Sequence, residues 1–140
     1  MIETSVVLHR VVAALDRAGD RFLRAEFGIS HSRIVVMLLL HRGGPTGQHD
    51  LAVQLGITDP AVSGLVRELV RDGHVTVEVV PANRRQRVVS LTAAGADLVE
   101  RAGSHLEGRF AALLAASGVD NDELFALLSR IDKTLNPEGT

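Results

Sequence analysis

Residues 48–91, QHDLAVQLGITDPAVSGLVRELVRDGHVTVEVVPANRRQRVVSL, are the stretch whose reading decides the fold. They read as helix, short turn, helix, strand, basic loop, strand. In the second helix Val62, Leu65, Val66, Leu69 and Val70 recur at helical spacing and share one side. Ser63, Gly64, Arg67 and Arg71 fall on the other side. The apolar side is expected to dock on a core. The opposite side is small near its N-terminus and basic further along. A helix that enters the major groove needs that combination: little bulk where it nears base edges, and donors for bases and phosphates.

The boundaries of this stretch are marked by local chemistry. Gly56 is expected to break the first helix, with Ile57 tucking inward at the turn. Thr58 is a good N-cap, and Pro60 falls in the first turn, where a missing N–H costs little. Arg71-Asp72-Gly73 ends the second helix with a glycine suited to a left-handed position. Val75, Thr76, Val77, Val79 and Val80 then favour a strand. Pro81 to Arg85 reads as a turn, and Arg87 to Leu91 as a returning strand. The expected result is a two-stranded ribbon with Arg84 and Arg85 near its tip.

Working outward, Glu3 to about Glu26 reads as a long amphipathic helix with Val7, Val11, Ala14, Leu15, Ala18, Phe22 and Ala25 on its apolar side. Phe27-Gly28-Ile29 breaks it, and Ser30 caps a helix over about His31 to His41. Ile34 to Leu40 is apolar nearly all round, which marks a buried helix. Arg42 to Gly47 reads as a loop. Beyond Leu91, Thr92 caps a helix to about Ala116, striped with Leu98, Ala102, Leu106, Phe110, Leu113 and Leu114. Gly95, Gly103 and Gly108 weaken it by about 1 kcal/mol each relative to Ala, and close packing is the simplest reason for them. Asp120 and Glu123 have capping-box spacing ahead of a final helix with Leu124, Leu127, Leu128, Ile131 and Leu135 in one stripe. So short a helix must pack on something, and a partner chain meeting the first helix is the natural candidate.

The chain has 140 residues and is 46% hydrophobic, enough for one domain with a real core. Neither a secretory signal nor an apolar run long enough to span a membrane is legible, so a cytoplasmic protein without membrane contact is expected. Cysteine is absent, which excludes disulfides, thiolate metal sites and thiol redox sensing. Tyr and Trp are absent too, so base stacking on an aromatic platform is not expected. The net charge of −2 is unevenly spread. Residues 81–95 hold three arginines and no acid, whereas from Asp97 onward acids outnumber Lys and Arg eight to four. A basic ribbon tip beside an acidic C-terminal part fits a protein that touches a polyanion with one face. The plainer alternative is a solvated hairpin tip.

The six histidines, His9, His31, His41, His49, His74 and His105, include no pair at the i, i+4 spacing of a helical metal site. Neither a metal nor a cofactor is expected. No Ser-His-Asp set, paired carboxylates or phosphate loop is legible. Gly43-Gly44-Pro45-Thr46-Gly47 lacks the Lys-Ser/Thr of a P-loop. Enzymatic activity has no positive support.

In its order of elements the chain resembles the MarR family of winged helix-turn-helix transcription regulators, over nearly its whole length. The most specific parts are Leu51-Ala52, Leu55-Gly56-Ile57 and Pro60-Ala61-Val62-Ser63, then Leu65-Val66, Leu69-Val70 and Gly73-His74-Val75. Asn83-Arg84-Arg85, Val88-Val89-Ser90-Leu91-Thr92 and Ala94-Gly95 complete the match. The resemblance implies a mainly α fold of six helices with a small β-ribbon wing. It implies an obligate homodimer formed through the terminal helices. It implies a recognition helix in the major groove, a wing in the minor groove, and in many members release by a small, often aromatic anionic, ligand. By position, Ser63 should touch DNA and Arg85 should reach the minor groove. Three places depart from the family pattern: Gly64 where arginine is common, Asn83 for a wing aspartate, and Arg67-Glu68 where Asp-Arg is frequent.

The expectation is one MarR-like domain over 1–140, with 30–91 as the DNA-binding lobe and 1–28 with 92–140 as the dimerisation part. The function expected is a homodimeric regulator, a repressor, of an inverted-repeat site on double-stranded DNA, with a small-molecule effector left open. The candidate DNA-binding residues are Thr58, Pro60, Ala61, Ser63, Gly64, Arg67 and Arg71 on the helix and Arg84, Arg85 and Arg87 on the wing. Thr58 and Ala61 would offer backbone N–H groups to a phosphate. The candidate dimer residues are Val7, Val11, Leu124, Leu128, Ile131 and Leu135; no ligand-binding residues are assigned. A winged-helix protein–protein module without DNA binding is the alternative, opposed by the exposed arginines. A metal-responsive regulator using the histidines is a third.

Overall fold

The structure, a computed structural model, describes residues 2–137; Met1 and residues 138–140 of the expected dimerisation part lie outside it. Among the described residues the order is α1 (Ile2–Phe27), α2 (His31–Gly43), β1 (Thr46–Gly47), α3 (Gln48–Leu55), α4 (Asp59–Arg71), β2 (Val75–Val80), β3 (Asn83–Leu91), α5 (Ala93–Ser117) and α6 (Asn121–Leu135). The six helices and the small sheet are those of a winged helix-turn-helix fold. Two compact units divide the chain, one reaching to Gly103 and one beginning at Ser104, so α5 contributes to both.

In the first unit the helix ends form where the local chemistry dictates. The Ser30 hydroxyl accepts from the Arg33 N–H and caps α2, and the Thr58 hydroxyl accepts from the Ala61 N–H and caps α4. Gly56 and Gly73 take φ of 66° and 77°, left-handed values that end α3 and the α4 turn with little strain only for glycine. Asp20 on α1 accepts from the His31 N–H at 2.9 Å, which ties α1 to the start of α2. The core joins Leu23, Ile34, Val36, Met37 and Leu40 to Leu51 and Ala52, to Val62, Val66 and Leu69, and to Val75, Val89, Leu98, Val99 and Ala102, all buried. Gly95 is needed for close approach: a Cβ there would collide with the His74 carbonyl. Thr92 completes this junction, its hydroxyl donating to the Gly73 carbonyl at 2.7 Å and accepting from the Gly95 N–H at 3.0 Å.

The structure corrects four expectations in this unit. Val70 is not in the core but 45% exposed, because α4 buries only the narrow stripe Val62, Val66 and Leu69. Ile57 does not tuck inward and is 39% exposed; the turn is anchored by its backbone, with the Gly56 and Ile57 N–H groups donating to the Val53 and Ala52 carbonyls. The stretch 42–47 is not all loop. It closes α2 and then forms β1, whose Thr46 and Gly47 pair with Val89 and Val88 on β3. The sheet is therefore three-stranded, in the order β1-β3-β2, and β1 supplies partners for backbone groups on that flank of β3. Finally, the wing turn is only Pro81-Ala82, since β3 begins at Asn83. Pairing runs regularly from Val75–Leu91 to Val79–Arg87 and then jumps to Val80–Asn83. Arg84, Arg85 and Gln86 occupy the resulting irregularity, a bulge that locally redirects side chains.

In the second unit, Gly118 with φ of 67° ends α5, and the Asp120 carboxylate accepts from the Glu123 N–H to cap α6. Leu114 is buried in this unit, whereas α6 has no buried residue. Its stripe residues Leu127, Leu128, Ile131 and Leu135 are all exposed, as are Phe110 and Leu113 on α5.

Candidate nucleic-acid interface

The outer face of α4 is built from small and polar residues because its inner face is taken up by Val62, Val66 and Leu69. Thr58, Pro60, Ala61 and Arg67 are exposed, and Ser63 and Gly64 are half-buried. The Ala61 N–H is already held by the Thr58 hydroxyl at 3.3 Å. A phosphate at this helix end therefore meets a capped donor rather than a bare one. Arg67 donates to the Ser63 hydroxyl at 3.0 Å, which lays the guanidinium along the helix, one turn from where it is attached. Next to it stands Gly64, and a Cβ there would meet only the Arg67 guanidinium, at 3.9 Å.

Arg71 lies further along and is drawn to Asp72 at 3.4 Å. Asp72 is itself held by Arg33 of α2 at 2.9 Å. Arg33, with only 17% of its side chain exposed, also lies 3.8 Å from Glu68. Glu68 is thus turned toward a basic group on α2, while Arg67 stays on the outer face.

On the wing, Arg84, Arg85 and Arg87 are exposed. Asn83 braces the tip by accepting from the Arg85 N–H at 3.2 Å, so its side-chain amide fixes the backbone from which Arg85 projects. All ten candidate DNA-contact residues lie on α4, on its capping residue Thr58 or on β3.

Two residues absent from the expected set join these elements. His49 of α3 and Asp59, the first residue of α4, meet at 2.9 Å across the turn. The carboxylate of Asp59 raises the His49 pKa above the ordinary imidazole value, first by its hydrogen bond and then by its charge. The pair stands at one wall of an open cleft of about 570 Å³ whose other wall is Arg85, Gln86 and Arg87 of β3, with Asp50 also on its lining. A separation of ten residues across a helix-helix turn follows no helical period, so spacing gave no signal for it.

Of the candidate dimer residues, Val7 and Val11 on α1 and Leu128, Ile131 and Leu135 on α6 are exposed, and Leu124 is half-buried. Val6, Leu8 and Val12 on α1 and Phe125 on α6 are exposed apolar residues as well. Among the described residues no helix is long and apolar enough to cross a membrane. No group of three or more His, Asp or Glu side chains among them is placed to hold a metal ion.

A family model for the MarR family matches residues 27–86, from the end of α1 into the wing. The HTH-type transcriptional regulator FarR of Neisseria gonorrhoeae is 31% identical over 106 residues, which are 72% of this chain and 72% of that protein. Among solved structures, MepR of S. aureus in complex with DNA superposes with a TM-score of 0.77 at 24% identity, over 96% of each chain. NadR in complex with 4-hydroxyphenylacetate gives 0.78 at 25% identity, over 93% of this chain and 89% of that one. Sequence and fold agree: the chain belongs to the MarR family of winged helix-turn-helix transcription regulators, DNA-binding proteins without enzymatic activity.

Proposed function

We propose that this regulator is a homodimeric repressor of an inverted-repeat operator, with α4 of each subunit in the major groove and the β2–β3 wing in the minor groove. The observation that carries the reading is the pairing of a slender, donor-bearing outer face on α4 with a braced, arginine-rich wing tip on the same lobe. Residues 30–91 form the DNA-binding lobe. Residues 1–28 and 92–140 form the dimerisation part, which covers the apolar stripes that α1 and α6 leave exposed. Ser63 and Arg67 face base edges, Thr58, Pro60, Ala61 and Gly64 let α4 approach closely, and Arg71, Arg84 and Arg87 take phosphates. Arg85 enters the minor groove, where a narrow groove strengthens the negative potential. MepR in its DNA complex shares the fold that would dock in this way.

A small anionic effector fits the same reading, by analogy with NadR and its bound 4-hydroxyphenylacetate. Such a ligand releases the operator only as far as it binds the released state more tightly than the DNA-bound one. The protein works where the chromosome is, in the cytoplasm. The testing experiment combines sedimentation with mobility shift on genomic fragments, for wild type and for Leu128→Asp/Ile131→Asp. Wild type should sediment as a dimer and shift discrete fragments, and the double variant should lose both properties together. A wild-type monomer that binds its fragments as tightly as any dimer would refute the reading.

A further inference from the structure

The cleft between the helix-turn-helix and the wing has a charge balance that one histidine decides. Its charged lining is Asp50 on α3, Asp59 on α4, and Arg85 and Arg87 on β3, with His49 between. The two arginines cancel the two aspartates, so the cleft carries one positive charge when His49 is protonated and none when it is neutral. His49 and Asp59 are both widely exposed, at 75% and 61% of their side chains, so neither is committed to the core. The pair also places an acid at the first position of α4. A bare carboxylate there repels a phosphate, and an imidazolium bonded to it screens that repulsion.

We infer that this cleft seats a phosphodiester of the DNA backbone, and that His49, positioned by Asp59, is a DNA-contact residue that acts in its charged form. The inference rests on the proposed DNA-binding reading and adds to it a pH-dependent contact outside α4 and the wing tip. Imidazole is the side chain whose charge changes near neutrality, and its hydrogen bond to Asp59 favours the charged form. The sign follows: the contact is complete at pH values below the ordinary imidazole range and is lost as pH rises through the raised value in the folded protein. The cleft then passes from attractive to neutral.

The experiment is a salt titration of binding to a mixed-sequence duplex of about 30 base pairs, at about pH 6 and about pH 8.5, for wild type, His49→Gln and Asp59→Asn. Wild-type affinity should fall about threefold to tenfold with the rise in pH, and the salt slope by about one for each bound lobe. His49→Gln should bind at both pH values as wild type does at the higher one. Asp59→Asn should keep the pH dependence but move its midpoint down, because the partner that favours the imidazolium is gone. NMR of the His49 ring supplies a second readout: its titration should shift to higher pH when the duplex is added to wild type. An unshifted His49 titration overturns the inference, and so does a pH dependence that His49→Gln retains in full. Absence of duplex binding at either pH in low salt overturns the DNA-binding reading and this inference with it. Binding without any pH response overturns this inference alone.

Discussion

Arg67 donates to the Ser63 hydroxyl across 3.0 Å, so these two residues on the outer side of α4 form one unit, not two independent groups. The hydroxyl accepts from the guanidinium and keeps its own hydrogen for an acceptor on a base or phosphate. Ser63→Ala removes that hydrogen and frees Arg67 to swing. Discrimination between operator variants should relax while the salt slope barely changes, since no charge is lost. Arg67→Ala should flatten the slope by about one per bound helix. Competition binding with single-base operator variants across a salt series separates the two.

Arg85→Ala should weaken operator binding by about 1–3 kcal/mol, with the largest loss where the flanking sequence is A·T-rich. Thermal melts should be unchanged, because the Arg85 side chain is exposed and the brace from Asn83 is to its backbone N–H. Asn83→Ala offers the complementary case: it leaves every charge in place but releases the tip. Its affinity loss should therefore come without a change in salt slope.

Two glycines should respond in opposite directions. Gly64→Ala puts a methyl group where only the end of the Arg67 side chain lies nearby, at 3.9 Å, and should stabilise α4 by up to about 1 kcal/mol. Gly95→Ala drives a methyl group into the His74 carbonyl, which belongs to the backbone and cannot swing aside. It should cost about 2–4 kcal/mol. Urea denaturation of both variants checks this, and similar midpoints would contradict the packing described for the α4–β2–α5 junction.

Acid should loosen the tie between α1 and α2. The Asp20 carboxyl is held below its ordinary range, first by the hydrogen bond from the His31 N–H and then by the one from Arg24. Its contribution is therefore complete above the ordinary aspartate value of 3.8 and is lost as pH falls through the lower value in the folded protein. Asp20→Asn should melt below wild type near about pH 7, and the gap should narrow toward about pH 3. A gap that widened in acid would reverse the sign of this linkage.

What the sequence revealed was local. The caps at Ser30, Thr58, Thr92 and Asp120 and the terminating glycines Gly56 and Gly73 depend on neighbours within a few residues, and each formed as its residue type predicts. Where partners are distant, sequence reading fell short. Thr46-Gly47 is a strand only because β3 lies beside it. Val70 obeys the helical period that Leu69 obeys, but only tertiary neighbours decide how wide a stripe α4 buries. Pro81 marks the wing turn correctly, yet the strand resumes as early as Asn83. His49 and Asp59 meet only because the turn at Gly56 folds α3 back on α4, and no motif announces a bond across ten residues. The polar outer side of α4 and the arginines of the wing were recognisable by type and order; the contacts that orient them were not.

The most direct test of the central claim, a dimer with two α4 helices on one face of a duplex, is a hydroxyl-radical footprint on a fragment selected from genomic DNA. The account predicts a protected inverted repeat whose half-site centres lie about 10 base pairs apart, with protection on one face of the helix. A single asymmetric half-site, protected to the same extent at saturating protein, would contradict it.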